Sequence, residues 1–492
     1  MVFSSLVFLF AFLPAVLLLY FVVPKRLKNL TLFVVSLVFY AWGEPLYVLL
    51  MIGSILIAYM TGLFADKSKN KPIVAKAAVI LDVVWSIGLL FLFKYADFII
   101  ENINSLFSTN IFLLNYSLPI GISFYTFQSL SYVIDVYRGN VKSQKNFITL
   151  GTYVALFPQL VAGPIVRYAD IEKQLENRSS FSLSDYFVYL SRRKKGECDK
   201  PQFNYNQFAS GIKRFSVGLA KKAILANSIY ELFNTISTSD YSQLSVAASW
   251  LGVIAYTFEI YFDFSGYSDM AIGLGKMLGF DFLENFNYPY ISTSITDFWR
   301  RWHMSLSSWF RDYVYIPLGG NRKGKARQCL NIMIVWSLTG LWHGASWNFV
   351  LWGVYFGVLL MIEKFLLKKP LEKLPNVITH IYALFFIVIG WGIFAYEDTS
   401  SLVGNFKNMF GFGGLPLWNG QTTMWFVEYL PIIIILILGS TPLAKSIGEW
   451  IEGKNTSLYQ CVLEPLSTAA MLLLSAAYLV SSSYNPFIYF RF

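Results

Sequence analysis

Charge is scarce in this chain. Only 14% of its 492 residues are charged, while 55% are hydrophobic; a soluble domain carries about 25% charged residues. Length alone would suggest about three soluble domains, but apolar runs recur from end to end, so one membrane-embedded domain, 1–492, is the reading that composition imposes. Cysteine is scarce too. Cys198, Cys329 and Cys461 lie far apart with no CxxC pair, which argues against a disulfide framework and a zinc site, and no metal is expected. There is no GxSxG elbow, no P-loop, no HExxH, and no GxGxxG between a strand and a helix. The net charge of +10 sits mainly in short loops between apolar runs, the signature of cytoplasmic loops and not of a nucleic-acid partner.

A spanning helix needs about 20 mostly apolar residues. Candidate spans are 4–23, 29–43, 45–65, 74–95, 118–137, 214–235, 245–264, 327–342, 346–367, 375–395, 423–442 and 462–481. The expected fold is all-α and polytopic, with roughly 11–12 transmembrane helices. The first apolar stretch has no basic region in front; Lys25, Arg26 and Lys28 follow it, unlike a cleaved signal peptide. We therefore expect a first span with its N-terminus outside. Alternation then makes 25–28, 67–71, 138–145, 322–327, 368–373 and 445–454 cytoplasmic, and all are basic; the opposite loops hold Glu101, Asp240, Glu397 and Asp398 against one basic residue, Lys407.

Two stretches do not read as ordinary spans. Residues 147–167 are apolar but broken by Pro158, Gly163 and Pro164, and 293–320 are helix-patterned yet carry Asp297, Arg300, Arg301, His303, Arg311 and Asp312. Both suggest re-entrant or interfacial segments, since charged or irregular backbone at membrane depth must be covered by protein or line a wet cavity. For 293–320 the alternative is an amphipathic helix on the cytoplasmic surface. Residues 168–213 form a polar cytoplasmic loop, and 396–422 an extracytoplasmic one.

Histidine occurs three times: His303, His343 and His380. On a continuous helix, Trp299, Arg300, Ser307 and Phe310 would share a face with His303, setting an imidazole beside a fixed cation and aromatic walls. His343 is flanked by Gly340 and Gly344, and small residues in membrane helices permit close approach of a backbone or ligand. A lone histidine on an apolar face is ordinarily a hydrogen-bonded core residue, the reading to be weighed for His343; His380 reads as a residue near a helix start at the interface. An ionisable group inside a membrane is costly and more often functional. Imidazole suits transfer to a hydroxyl, because an alcohol becomes a useful nucleophile when a base takes its proton, and the oxyanion then needs donors. Asp135, Glu259, Asp263, Asp269 and Asp312 show no spacing of a catalytic carboxylate pair.

At these residues the chain resembles the membrane-bound O-acyltransferase family, in its alginate O-acetylase-like branch. The matching segments are GISFYTFQSLSYVIDVYRG (121–139), LFPQLVAGPIVR (156–167), FDFSGYSDMAIGLGKMLGF (262–280), RRWH…RDYVYIPLGGNR (300–322) and LTGLWHGASWNFVLWG (338–353). The resemblance implies helices around a central tunnel, with His343 and His303 as the catalytic residues; Trp299, Arg300, Arg301, Asp312, Trp342 and Gln159 are the substrate-binding candidates, and His303, Arg300 and Arg301 would supply oxyanion donors if their helix faces His343. It further implies acetyl-CoA or another acyl thioester as a cytoplasmic donor substrate, with no bound cofactor. A cell-surface polysaccharide is the implied acceptor, and an extracytoplasmic SGNH-hydrolase-like protein the implied partner, in a bacterial cell membrane. The D-alanyl transferases acting on teichoic acid share the RRWH and WHG signatures, whereas the PLGGNR ending and added C-terminal spans favour the acetylase branch. Residues 179–201 look inserted relative to the family pattern. A polysaccharide or acyl transporter is the rival from another class, and would be expected to show repeat symmetry around broken helices; none is visible by eye.

Overall fold

The computed structural model describes residues 1–161, 163–178, 182–192, 204–240 and 242–481, and there every regular element is helical. Among the described residues, six helical stretches are long and apolar enough to cross a membrane: Tyr47–Lys67, Pro72–Phe107, Trp347–Leu371, Asn376–Ala395, Gly420–Gly439 and Thr456–Ser481; Phe8–Val22 is apolar but shorter. The protein is an all-α, multi-pass membrane protein. Most of the inserted 179–201 stretch lies outside the described residues.

The chain packs as two compact units, Met1–Val217 with Tyr267–Leu283, and Gly218–Gly266 with Glu284–Phe492. In the first unit, Ile122–Arg138 carries Gln128, Ser129, Ser131 and Asp135 and is buried without interruption from Ile122 to Val133. A helix enclosed by protein faces no lipid, so it can be more polar than the spans around it. The apolar run 147–167 breaks as its prolines and glycine suggest: Phe147–Ala155 ends at Leu156, and one turn, Phe157–Leu160, follows. The exposed polar backbone of this break is met by protein. Phe157 N–H donates to Ser36 Oγ at 3.1 Å, and Tyr153 Oη donates to the Val166 carbonyl at 3.1 Å. Asp135 accepts from Asn140 (3.0 Å), and Asp269 pairs with Arg214 (2.7 Å).

In the second unit, Lys222 and Asp263 form an ion pair at 2.5 Å whose side chains are 4% and 2% exposed. Breaking such a pair leaves an uncompensated buried charge, so this carboxylate is structural. Lys325–His343 and Trp347–Ile362 form a tight antiparallel pair. Gly340 and Gly353 make that closeness possible: a Cβ on Gly340 would stand 2.2 Å from the Phe349 carbonyl oxygen, and one on Gly353 2.3 Å from that of Trp336. Backbone cannot swing away as a side chain can. Gly340→Ala should therefore destabilise the protein by about 1–3 kcal/mol, lowering its thermal midpoint in detergent. Gly88→Ala, where an added Cβ meets nothing within 4 Å, should not.

Candidate active site

The charged segment 293–320 is not one continuous helix. Ile295–Arg301 forms first, with Ser294 Oγ accepting from Asp297 N–H at 3.0 Å. Glu363, buried on another helix, accepts from Ile295 N–H at 2.7 Å and Thr296 N–H at 2.9 Å. The chain then breaks. Trp302 is extended, and His303 adopts the left-handed region (φ 44°, ψ 54°) before Met304–Phe310 resumes. Left-handed backbone at a residue with a bulky side chain costs about 1–2 kcal/mol, so something must hold it.

Asn285 does. Its carbonyl oxygen accepts from Met304 N–H at 3.0 Å, and its Oδ1 from Ser305 N–H (3.3 Å) and Ser305 Oγ (2.9 Å). The same Oδ1 lies 3.1 Å from His303 Nδ1. A backbone N–H can only donate, so the Asn285 atom it meets is an oxygen and Nδ1 must carry the proton. In the neutral ring the lone pair then sits on Nε2, which is buried and has no hydrogen-bond partner among the described residues. His303 lies outside the six membrane-crossing helices. Its imidazole is 1% exposed, and burial holds its pKa below the ordinary range, favouring the neutral form.

His303 and His343 line one cavity of about 200 Å³. Trp299, Trp302, Leu306 and Phe310 supply one wall. Ile332, Val335, Trp336, Thr339 and His343, spaced along one face of Lys325–His343, supply the other. His343 ends that helix, 5% exposed, with its ring 5.0 Å from Trp342, 5.1 Å from Trp352 and 5.2 Å from Phe394. Trp342 also stands 5.8 Å from the His303 ring, so it packs against both imidazoles. The glycines flanking His343 act as expected: a Cβ on Gly344 would collide with the Phe349 ring at 2.2 Å.

The break revises the expected helix face. Trp299, Ser307 and Phe310 do line the cavity with His303, but Arg300 does not; it is exposed. Arg301 turns to Asp297, its Nε 3.1 Å from each carboxylate oxygen, and also lies outside the lining. The cation at the cavity is Arg311, exposed like Ser307, which opens the cavity at that end. Asp312 pairs with it at 2.7 and 3.1 Å. Gln159 belongs to the first unit, where its amide donates to the Tyr153 carbonyl. His380 serves local structure, with its Nδ1 2.9 Å from the Ser292 carbonyl, just before the first short helix. Asn285, 18 residues upstream of His303 in an irregular segment, offered no periodicity that could mark it; Trp336 and Thr339, seven and four residues before His343, were findable by helical spacing.

A hydrogen-bond-oriented imidazole and a second imidazole on one small, aromatic-walled cavity can deprotonate a hydroxyl and hold a reacting acyl group. Comparison with known proteins agrees with that chemistry. Residues 140–396 match the model of the membrane-bound O-acyltransferase family. The chain is 37% identical to a probable alginate O-acetylase of Azotobacter vinelandii, with 100% of each chain covered. It is 31% identical to a peptidoglycan O-acetyltransferase of Helicobacter pylori, over 100% of this chain and 98% of that one. Similarity to a teichoic acid D-alanyltransferase of Bacillus subtilis is lower, 28% over 56% of this chain and 68% of the other.

Proposed function

This chain belongs to the membrane-bound O-acyltransferase family, and we propose that it moves an acetyl group from a cytoplasmic thioester to hydroxyls of a polysaccharide outside the membrane. The observation that carries this reading is that His303 and His343 line one cavity, with Asn285 fixing the His303 tautomer. At about 200 Å³ the cavity lies below the usual ligand-pocket range of about 300–1,000 Å³, which suits a short acyl group. Among the described lining residues there is no carboxylate to meet an ammonium, and the one cation, Arg311, is already paired with Asp312. That disfavours an aminoacyl group bearing an ammonium, and so favours acetyl over D-alanyl transfer.

In the transfer, one histidine takes the acceptor hydroxyl proton as the oxygen attacks the thioester carbonyl. A C–O bond forms, the oxyanion collapses, the C–S bond breaks, and the proton returns to the departing thiolate. His343 and His303 share the base and oxyanion-stabilising roles. Trp299 and Trp342 keep water out of the reacting pair, and Arg311, with Asp312 fixing its guanidinium, meets the donor at the open end. On this reading the donor side is cytoplasmic and the N-terminus external, an orientation the basic loops support, in a bacterial cell membrane. An extracytoplasmic SGNH-hydrolase-like partner would then receive or deliver the acceptor.

The test is direct. Purified protein in detergent, given labelled acetyl-CoA and a soluble glycan acceptor, should form alkali-labile acetyl esters without any vesicle. Ester formation excludes pure transport. Absence of transfer from every thioester offered, with the protein folded and the acceptor and candidate partner present, would sink the reading.

A further inference from the structure

A second cavity, of about 630 Å³, lies wholly within the first unit, away from the histidines in sequence and in unit. Four cations line it: Lys25, Arg26, Lys28 and Arg178. Three of these come from the turn after the first apolar helix, and the fourth from just beyond Tyr168–Glu176, about 150 residues on in the chain. Placing basic residues in a cytoplasmic loop needs only exposed lysines. Here Lys28 is 2% exposed, its ammonium 4.1 Å above the Tyr20 ring. Arg178 is pinned beside it: Nε donates to Tyr20 Oη and Nη1 to Asn29 Oδ1, both at 2.8 Å, with the guanidinium over Phe280 at 4.7 Å. Two cations are thus fixed around one tyrosine, where burial works against the Lys28 charge.

Among the described lining residues one is acidic, and Asp185, close by, favours the Lys28 charge. Glu176 lines the cavity and is exposed; Asp185 accepts the Lys25 backbone N–H at 3.0 Å. Neutral Asn29, Gln144, Asn146, Thr149 and Asn177 complete the polar lining. We propose that this cavity binds a phosphate group, with Lys28 and Arg178 as its fixed charges and Lys25 and Arg26 closing over it. A tetrahedral phosphate anion, with its several acceptor oxygens, matches converging cations and amides better than a planar carboxylate would, since the guanidinium offers paired donors and the lysines mobile point charges. Once seated, it relieves the mutual repulsion of the cations. The chemistry is common to a phospholipid headgroup, as the turn's position after an apolar helix suggests, and to a dissolved phosphate compound.

The experiment uses the full chain in uncharged detergent and reads thermal unfolding. Sodium phosphate should raise the midpoint by about 2 °C or more over sodium chloride at matched ionic strength, growing with the logarithm of concentration; that outcome assigns a dissolved ligand. A rise only in nanodiscs containing phosphatidylglycerol, relative to phosphatidylcholine alone, assigns a headgroup. Either shift should vanish in Lys28→Gln and fall in Lys25→Gln/Arg26→Gln, whose exposed sites do not threaten folding. No shift with phosphate or anionic lipid, or an undiminished shift in the exposed double variant, overturns the site. The measurement needs no turnover, so it stands apart from the acyl-transfer reading.

Discussion

His343→Ala should abolish acetyl transfer while leaving a folded membrane protein. A positioned acid–base group is worth about 10² to 10⁴ in rate, and His343 stands at the one place where the long helix Lys325–His343 delivers a polar, titratable group to the cavity. The structural cost should be modest. The walls around the ring, Trp342, Trp352 and Phe394, pack on one another as well as on it: Trp352 stands 5.3 Å from Phe394 and 5.3 Å from Phe356. Removing the imidazole leaves that box standing, and Gly340 and Gly353 still hold the helix pair together. The expected pair of results is loss of labelled ester by at least about 10²-fold and a thermal midpoint within a few degrees of wild type. Full activity in His343→Ala would refute its catalytic assignment. Equal collapse of activity and midpoint would mean that the ring is structural, and His343→Gln, which keeps volume and polarity, would then decide between the two.

How much of this was legible in the sequence divides along a physical line. Elements whose surroundings are lipid announce themselves: the run within Tyr47–Lys67 and that within Asn376–Ala395 are apolar because one solvent selects them. The broken stretch 147–167 was readable from Pro158 and Gly163, since proline and glycine act locally. The two histidines stood out by scarcity and by context. What could not be read was the break at His303. Nothing in DFWRRWHMSL forbids a continuous helix, and the turn exists because Asn285, from a segment 18 residues upstream, supplies the acceptors that hold it. A tertiary clamp overrides local periodicity, and with it goes any face drawn on a helical wheel. That is why Arg300, placed beside the imidazole by spacing, is exposed, while Arg311 lines the cavity.

The clamp itself yields the second large effect. His303→Ala should lower turnover by about 10² to 10⁴-fold, with a smaller change in the KM for donor, because the aromatic wall that would hold the acyl group is untouched. Asn285 acts through that ring as a positioning residue. Asn285→Leu removes the Oδ1 that keeps the proton on Nδ1, letting the ring turn or change tautomer, and a misplacement near 1 Å is worth about 10²-fold. A merely structural asparagine would give the same loss, so the discriminating variant is Asn285→Asp. A carboxylate at about 3 Å favours the imidazolium and raises the His303 pKa, by about 1–3 pH units for an opposite charge at that range. The neutral base is then lost at a higher pH than in the wild type. The acid limb of the kcat/KM profile should therefore move up in pH, with activity recovering at alkaline pH toward the wild-type value. If Asn285→Asp lowers the rate uniformly, with no displacement of that limb, His303 is not the titrating base. The proton would then have to be assigned to His343 alone.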